Sequence, residues 1–199
     1  MSLVVAVRLR GRVAVVADRW VHYGEDKRFH PDDCSVVKVF PLDGLGCVAT
    51  VGDFAASDTL RRCASEFEYL STNSPLKEVE DLAGRFSAAC DARGWTPPGG
   101  DDGRWKNLPG PLLIAGQRGM YAVDSTCSAT EHRRWLVMGL GEAEADGALA
   151  ALFNLAQEEG GRSSLGVAVH VAERAHAAAR SLYPGVGPGF VEFECECEE

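Results

Sequence analysis

The sequence predicts an α+β protein of four layers, an αββα sandwich in which two packed sheets are covered outside by helix pairs. Three observations predict it. Apolar patterning comes in segregated blocks, in the order four strands, two helices, three strands, two helices and one strand. Several of the strands are apolar on both faces and so need cover on both sides. At 199 residues the chain fits one domain, 1–199, long enough to bury a substantial core.

The first block opens with Leu3 to Arg10, where Leu3, Val5, Val7 and Leu9 point one way and Val4 and Ala6 the other. Gly11-Arg12 reads as a type II′ turn with glycine first, and Val13 to Ala17 as a second strand ending at Asp18. Residues 19–35 are polar and read as an irregular loop. Val36 to Phe40 and Leu45 to Val51 form a second hairpin around the turn dipeptide Asp43-Gly44.

Gly52 ends that strand and Asp53 can cap a helix whose apolar stripe is Ala56, Leu60, Cys63, Ala64, Phe67 and Leu70. Ser74-Pro75 opens a second helix, with proline at its first helical position and Leu76, Val79, Leu82, Ala83, Phe86 and Cys90 on its apolar face. Residues 94–111, rich in proline and glycine and flanked by Trp95 and Trp105, read as a surface loop within the domain.

Strands follow at Leu112 to Gly116, Met120 to Val123 and Trp135 to Met138. An alanine-rich helix spans about Glu142 to Gln157, and Ser163 or Ser164 caps another that runs to about Arg180. Phe190 to Cys195 is the closing strand, ahead of an acidic end.

Composition excludes several classes. A net charge of −9 with no Lys/Arg cluster argues against a nucleic-acid partner. No stretch approaches the ~20 apolar residues of a membrane helix, and Arg8, Arg10 and Arg12 interrupt the apolar start, so it is not read as a signal peptide. Seven cysteines without a CxxC pair, several within apolar runs, favour a reducing, cytoplasmic setting over a disulfide framework. Cys195 and Cys197 share a strand face, and a strand end explains them better than a metal. The histidines lack ligand spacing, His170 and His176 falling on different faces of their helix. Gly139-Leu140-Gly141 lacks the remainder of a dinucleotide fingerprint. No metal and no cofactor is expected.

The residues with chemistry start at Ser2. Removal of Met1 would leave a hydroxyl and a free α-amine on one residue, the arrangement in which the hydroxyl attacks and the amine takes its proton. Three positions join it. Lys38 lies in an apolar strand and needs a partner or a shifted pKa, and Asp18 at a strand end can be that partner. A Lys38 ammonium beside Ser2 would favour the ionised hydroxyl and keep the amine neutral, starting from a pKa of ~7.7–8.0. Gly52, just before a helix N-terminus, can offer its N–H to an oxyanion. Taken singly, each has a bland reading: a strand-edge lysine, a turn aspartate, a helix-entry glycine.

In order and spacing these segments resemble the proteasome β-subunit family, with its bacterial heat-shock and ancestral homologues. Ser2-Leu-Val-Val-Ala-Val-Arg falls where that family has its nucleophilic threonine. Val15-Val-Ala-Asp18-Arg is similar to its aspartate strand, Lys38-Val-Phe to its lysine motif after a loop about four residues longer, and Cys47-Val-Ala-Thr-Val-Gly52 to its oxyanion-glycine strand. Leu113-Ile-Ala-Gly116 with Met120-Tyr-Ala-Val-Asp124, and Val137-Met-Gly139-Leu-Gly141, resemble its second-sheet hairpin and the turn before its third helix.

The resemblance covers nearly the whole chain. It implies an N-terminal-nucleophile fold and a peptidase with Ser2, Asp18, Lys38 and Gly52 as catalytic residues. Thr50 and Phe54 would border a shallow specificity pocket. It further implies a ring of identical subunits, unfolded polypeptide or peptide as substrate, and an ATP-dependent unfoldase partner, to which no residue here points. The chain also departs from the pattern. Leu140 replaces a hydroxyl between two glycines, and Ser181 and Pro184 stand where the family has an aspartate and a serine that steer the terminal amine. A ring-forming scaffold or binding subunit with little peptidase activity is therefore the second reading, and a small-molecule amidase the third.

Overall fold

The computed structural model describes residues 2–23, 27–29, 38–42, 46–52, 54–63, 75–93, 108, 110–158, 166–183 and 185–196. Its elements run β1 (Leu3–Leu9), β2 (Arg12–Asp18), β3 (Val21–Tyr23), β4 (Lys27–Phe29), β5 (Val39–Leu42), β6 (Gly46–Thr50), α1 (Phe54–Cys63) and α2 (Pro75–Ala92). They continue with β7 (Leu112–Gly116), β8 (Gly119–Val123), β9 (Ala129–His132), β10 (Trp135–Gly139), α3 (Glu142–Glu158), α4 (Val167–Leu182) and β11 (Gly189–Glu196). Strands assemble into one sheet of order β10-β1-β2-β11 and another of order β5-β6-β7-β8-β9, both antiparallel, with β3-β4 as a separate ribbon.

Three cores define the four layers. The period-2 alternation of β1 sends Leu3, Val5, Val7 and Leu9 outward with Ala14 and Val16 of β2, against Leu149 and Phe153 of α3 and Ala172 and Ala175 of α4. Val4 and Ala6 point inward with Val15 and Ala17, onto Cys47, Ala49, Leu113, Ala115 and Met120 of the second sheet. Val48, Ile114 and Tyr121 on that sheet's far face pack against Leu60, Val79 and Phe86 of α1 and α2. A strand sandwiched between two cores leaves little room for polar side chains, which is why β1 is apolar on both faces from Leu3 to Val7, Arg8 being its one polar and only partly buried residue.

Several local expectations need correction. Leu9 pairs with Arg12, so the first turn is Arg10-Gly11, and both have positive φ (52° and 70°). That is a type I′ turn, whose twist matches the flanking strands. Residues 19–35 contain the β3–β4 ribbon, and β9 was not expected at all. Leu42 pairs with Gly46, leaving three positions in that turn where two were expected; residues 43–45 themselves lie outside the described residues. On α2, Leu76 is exposed while Val79, Ala83, Phe86 and Cys90 are buried. Gly166, in a left-handed conformation, occupies the N-cap of α4 with no side-chain cap. The expected caps Asp53, Ser163 and Ser164, the end of the first helix beyond Cys63, Cys197, and 94–107 and 109 of the expected loop lie outside the described residues.

Candidate active site

The site forms where β1 begins beside the end of β2. Ser2 is buried, at 9% exposure, and shares the parity of Val4 and Ala6, which face the second sheet. Its carbonyl accepts a hydrogen bond from the Leu140 N–H at 2.8 Å. Gly139, at φ 113°, makes that approach: a Cβ there would run into the Ser2 carbonyl. The glycine of the Gly139-Leu140-Gly141 turn is thus required by close backbone approach.

Asp18 ends β2, fully buried, and both of its oxygens are engaged. Oδ2 accepts the Leu3 N–H at 3.3 Å, and Oδ1 accepts from Lys38 Nζ in a buried ion pair. Lys38 immediately precedes β5 and is 3% exposed. The Leu3 amide is consequently joined to the lysine through one carboxylate.

Burial, the largest influence, pushes Lys38 below the ordinary lysine range, opposed by the Asp18 charge and hydrogen bond. Burial likewise pushes the Asp18 carboxyl up, opposed by Lys38 and the Leu3 N–H. Such a pair is costly to desolvate and adds little net stability.

A second ion pair lies nearby. Arg19 grips Glu192 with two hydrogen bonds, 2.6 and 3.1 Å, and stacks over Phe190 at 4.7 Å. Glu192 sits at the bulge of β11 between Val191 and Phe193, which turns its carboxylate to Arg19 and buries it. Its charge also favours the protonated form of Lys38.

Gly52 stands past the end of β6, exposed, with φ 120° and open space where a side chain would be. Thr50 is buried and its hydroxyl donates to the Pro111 carbonyl at 3.3 Å. The Phe54 side chain and Pro184 lie outside the described residues. Ser181 is exposed and its hydroxyl donates to the Ala178 carbonyl of its own helix.

The structure thus brings Asp18, Lys38 and the Ser2-Leu3 backbone together. Sequence reasoning missed His176. It is 1% exposed, with Nε2 unpartnered, and it hydrogen-bonds the Leu3 main chain. Its signal was available: Ala168, Ala172 and His176 repeat at four-residue spacing on the buried stripe of α4. Burial, then the nearby Lys38 and Arg180 charges, lower its pKa to about 4, against the favouring Leu3 bond. Among the described residues no group of side chains could hold a metal ion, and no helix is long and apolar enough to cross a membrane.

No family model matches the chain, and no curated protein matches it. Solved structures do. Thiobacillus denitrificans BPH in complex with epoxomicin is 21% identical, with 99% of this chain and 100% of that chain aligned at a TM-score of 0.77. HslV from Trypanosoma brucei is 17% identical over 98% of this chain and 99% of its own, with a TM-score of 0.67. Anbu (ancestral beta-subunit) from Yersinia bercovieri is 17% identical over 95% and 80%, with a TM-score of 0.60. The chain therefore shares the α+β, proteasome-like fold of these structures, the fold that the resemblance implied.

Proposed function

We propose that the chain is a proteasome-like peptidase whose nucleophile is Ser2 once Met1 is removed. The observation that carries this reading is the buried Asp18–Lys38 pair tied to the Leu3 amide, a desolvated cation and carboxylate beside the one residue that can present a hydroxyl and an α-amine together. In this mechanism Ser2 Oγ attacks the scissile carbonyl carbon and its proton passes to the α-amine. The Lys38 cation disfavours a charged amine and favours the alkoxide, while Asp18 holds Lys38 in place. The Gly52 N–H, before the N-terminus of α1, receives the oxyanion. The leaving amine takes the proton, and water then hydrolyses the acyl-enzyme.

Thr50 and Phe54 border the specificity pocket in this reading. With its hydroxyl bonded to Pro111, Thr50 offers the pocket an apolar wall. A homo-oligomeric ring, a polypeptide or peptide substrate and an ATP-dependent unfoldase belong to the same proposal. Epoxomicin, found in complex with the Thiobacillus neighbour, is the first probe to try.

Two observations favour the second reading, a ring-forming subunit with weak or no activity. The Ser181 hydroxyl is occupied by its own helix, and Leu140 gives Ser2 only a backbone N–H, so neither side chain steers the amine. Intact mass and peptide hydrolysis separate the readings. Loss of Met1 with hydrolysis abolished in Ser2→Ala supports the peptidase; retained Met1 and no hydrolysis support the scaffold.

A further inference from the structure

We propose that His176, on the outer helix α4, is a positioning residue that clamps the Leu3 peptide and thereby holds Ser2 in place for attack. This rests on the reading of Ser2 as nucleophile.

The Ser2-Leu3 segment is tethered at three points. The Leu140 N–H binds the Ser2 carbonyl, and Asp18 accepts the Leu3 N–H. Both tethers come from the sheet. The third comes from another layer: His176 hydrogen-bonds the Leu3 main chain, and because Nε2 has no partner the bond belongs to Nδ1. A neutral imidazole with its proton on Nδ1 donates to the Leu3 carbonyl. Asp18 and His176 then grip opposite ends of the same residue, one at its N–H and one at its C=O.

The fold makes room for this contact. Gly189 of β11 pairs with Asp18, and a Cβ on it would meet His176 Nδ1 at 2.8 Å and Val16 Cγ1 at 2.9 Å. Only glycine lets the ring drop between α4 and the β2–β11 ribbon. The ring also feels the Lys38 charge. The cations that face it are Lys38, at the start of β5, and Arg180 on α4 itself.

The test uses the full-length protein in its natural assembly, with His176→Leu to remove the donor at similar volume and His176→Asn to restore a donor near Nδ1. One readout is the rate of Ser2 labelling by epoxomicin. The other is amide exchange at Leu3 relative to Val7 in the middle of β1, which removes any general loss of stability. His176→Leu is expected to slow labelling and to speed Leu3 exchange relative to Val7, each about tenfold, with His176→Asn within about threefold of wild type.

Equal defects in both variants, or Leu3 exchange that tracks Val7, overturn the proposal. If wild type itself is not labelled, the reading of Ser2 fails, and the exchange ratio still decides whether His176 clamps Leu3. Normal labelling of wild type with an unmoved ratio removes the clamp and leaves the nucleophile standing.

Discussion

Replacing Lys38 by Met keeps the aliphatic stem and deletes the cation, leaving Asp18 as a buried carboxylate whose Oδ1 has lost its partner. With side-chain exposures of 4% and 0%, solvent screening offers no discount, and breaking such a pair costs about 3–5 kcal/mol. Asp18→Asn strands the ammonium instead, at a similar cost lessened by deprotonation of Lys38. The double variant removes both charges and lets the Asn oxygen keep the Leu3 N–H. Its loss should be about 1–3 kcal/mol, from one unpartnered amide.

The cycle therefore predicts that the single losses exceed the double loss by at least about 2 kcal/mol. Denaturant midpoints at fixed protein concentration measure it. Acid adds a second arm. In Lys38→Met the folded Asp18 pKa stays above its unfolded value with no cation to oppose the shift. Protonation then favours the folded state, and the variant gains stability relative to wild type as pH falls from neutral toward ~4. Additivity within about 0.5 kcal/mol, or a variant that loses stability relative to wild type over that pH range, would refute the buried charge pair.

The other predictions concern the glycines and the buried histidine. Gly139→Ala forces a Cβ into the Ser2 carbonyl at a positive φ and should cost more than about 3 kcal/mol. Gly52→Ala meets open space, so only its backbone conformation is penalised, by about 1–3 kcal/mol; peptide hydrolysis should fall further than its thermal midpoint implies. Because the folded pKa of His176 is depressed from 6.5 to about 4, its contribution is complete above pH 6.5 and fades as pH falls toward 4, by about 3 kcal/mol. Unfolding curves across that window should flatten in His176→Asn.

Much of the fold was legible because burial leaves a period. β1 and β2 lie between two cores, so both parities had to be apolar, and α2 showed its stripe. What escaped was structure with no apolar signature. β9, Ala129–His132, is a half-exposed edge strand held to β8 by backbone pairing, and nothing in its side chains announces a strand. The β3–β4 ribbon, Val21–Tyr23 and Lys27–Phe29, carries His22, Lys27 and Arg28. The Arg10-Gly11 turn was misread because arginine rarely adopts positive φ.

At the site, Asp18 and Lys38 were readable as charged residues where apolar patterning leaves water no access. For His176 the four-residue stripe of α4 could have signalled burial, but not its partner: a single histidine on an alanine stripe gains a role only when the strand beneath it is known.

The most direct test of the account is where epoxomicin attaches. After incubation, intact mass should show loss of Met1 and one adduct per chain, and peptide mapping should place the adduct on Ser2, with none in Ser2→Ala and markedly less in Lys38→Met. An adduct that persists in Ser2→Ala, or a chain that keeps Met1 and stays unlabelled, would contradict the claim that Ser2 is the nucleophile.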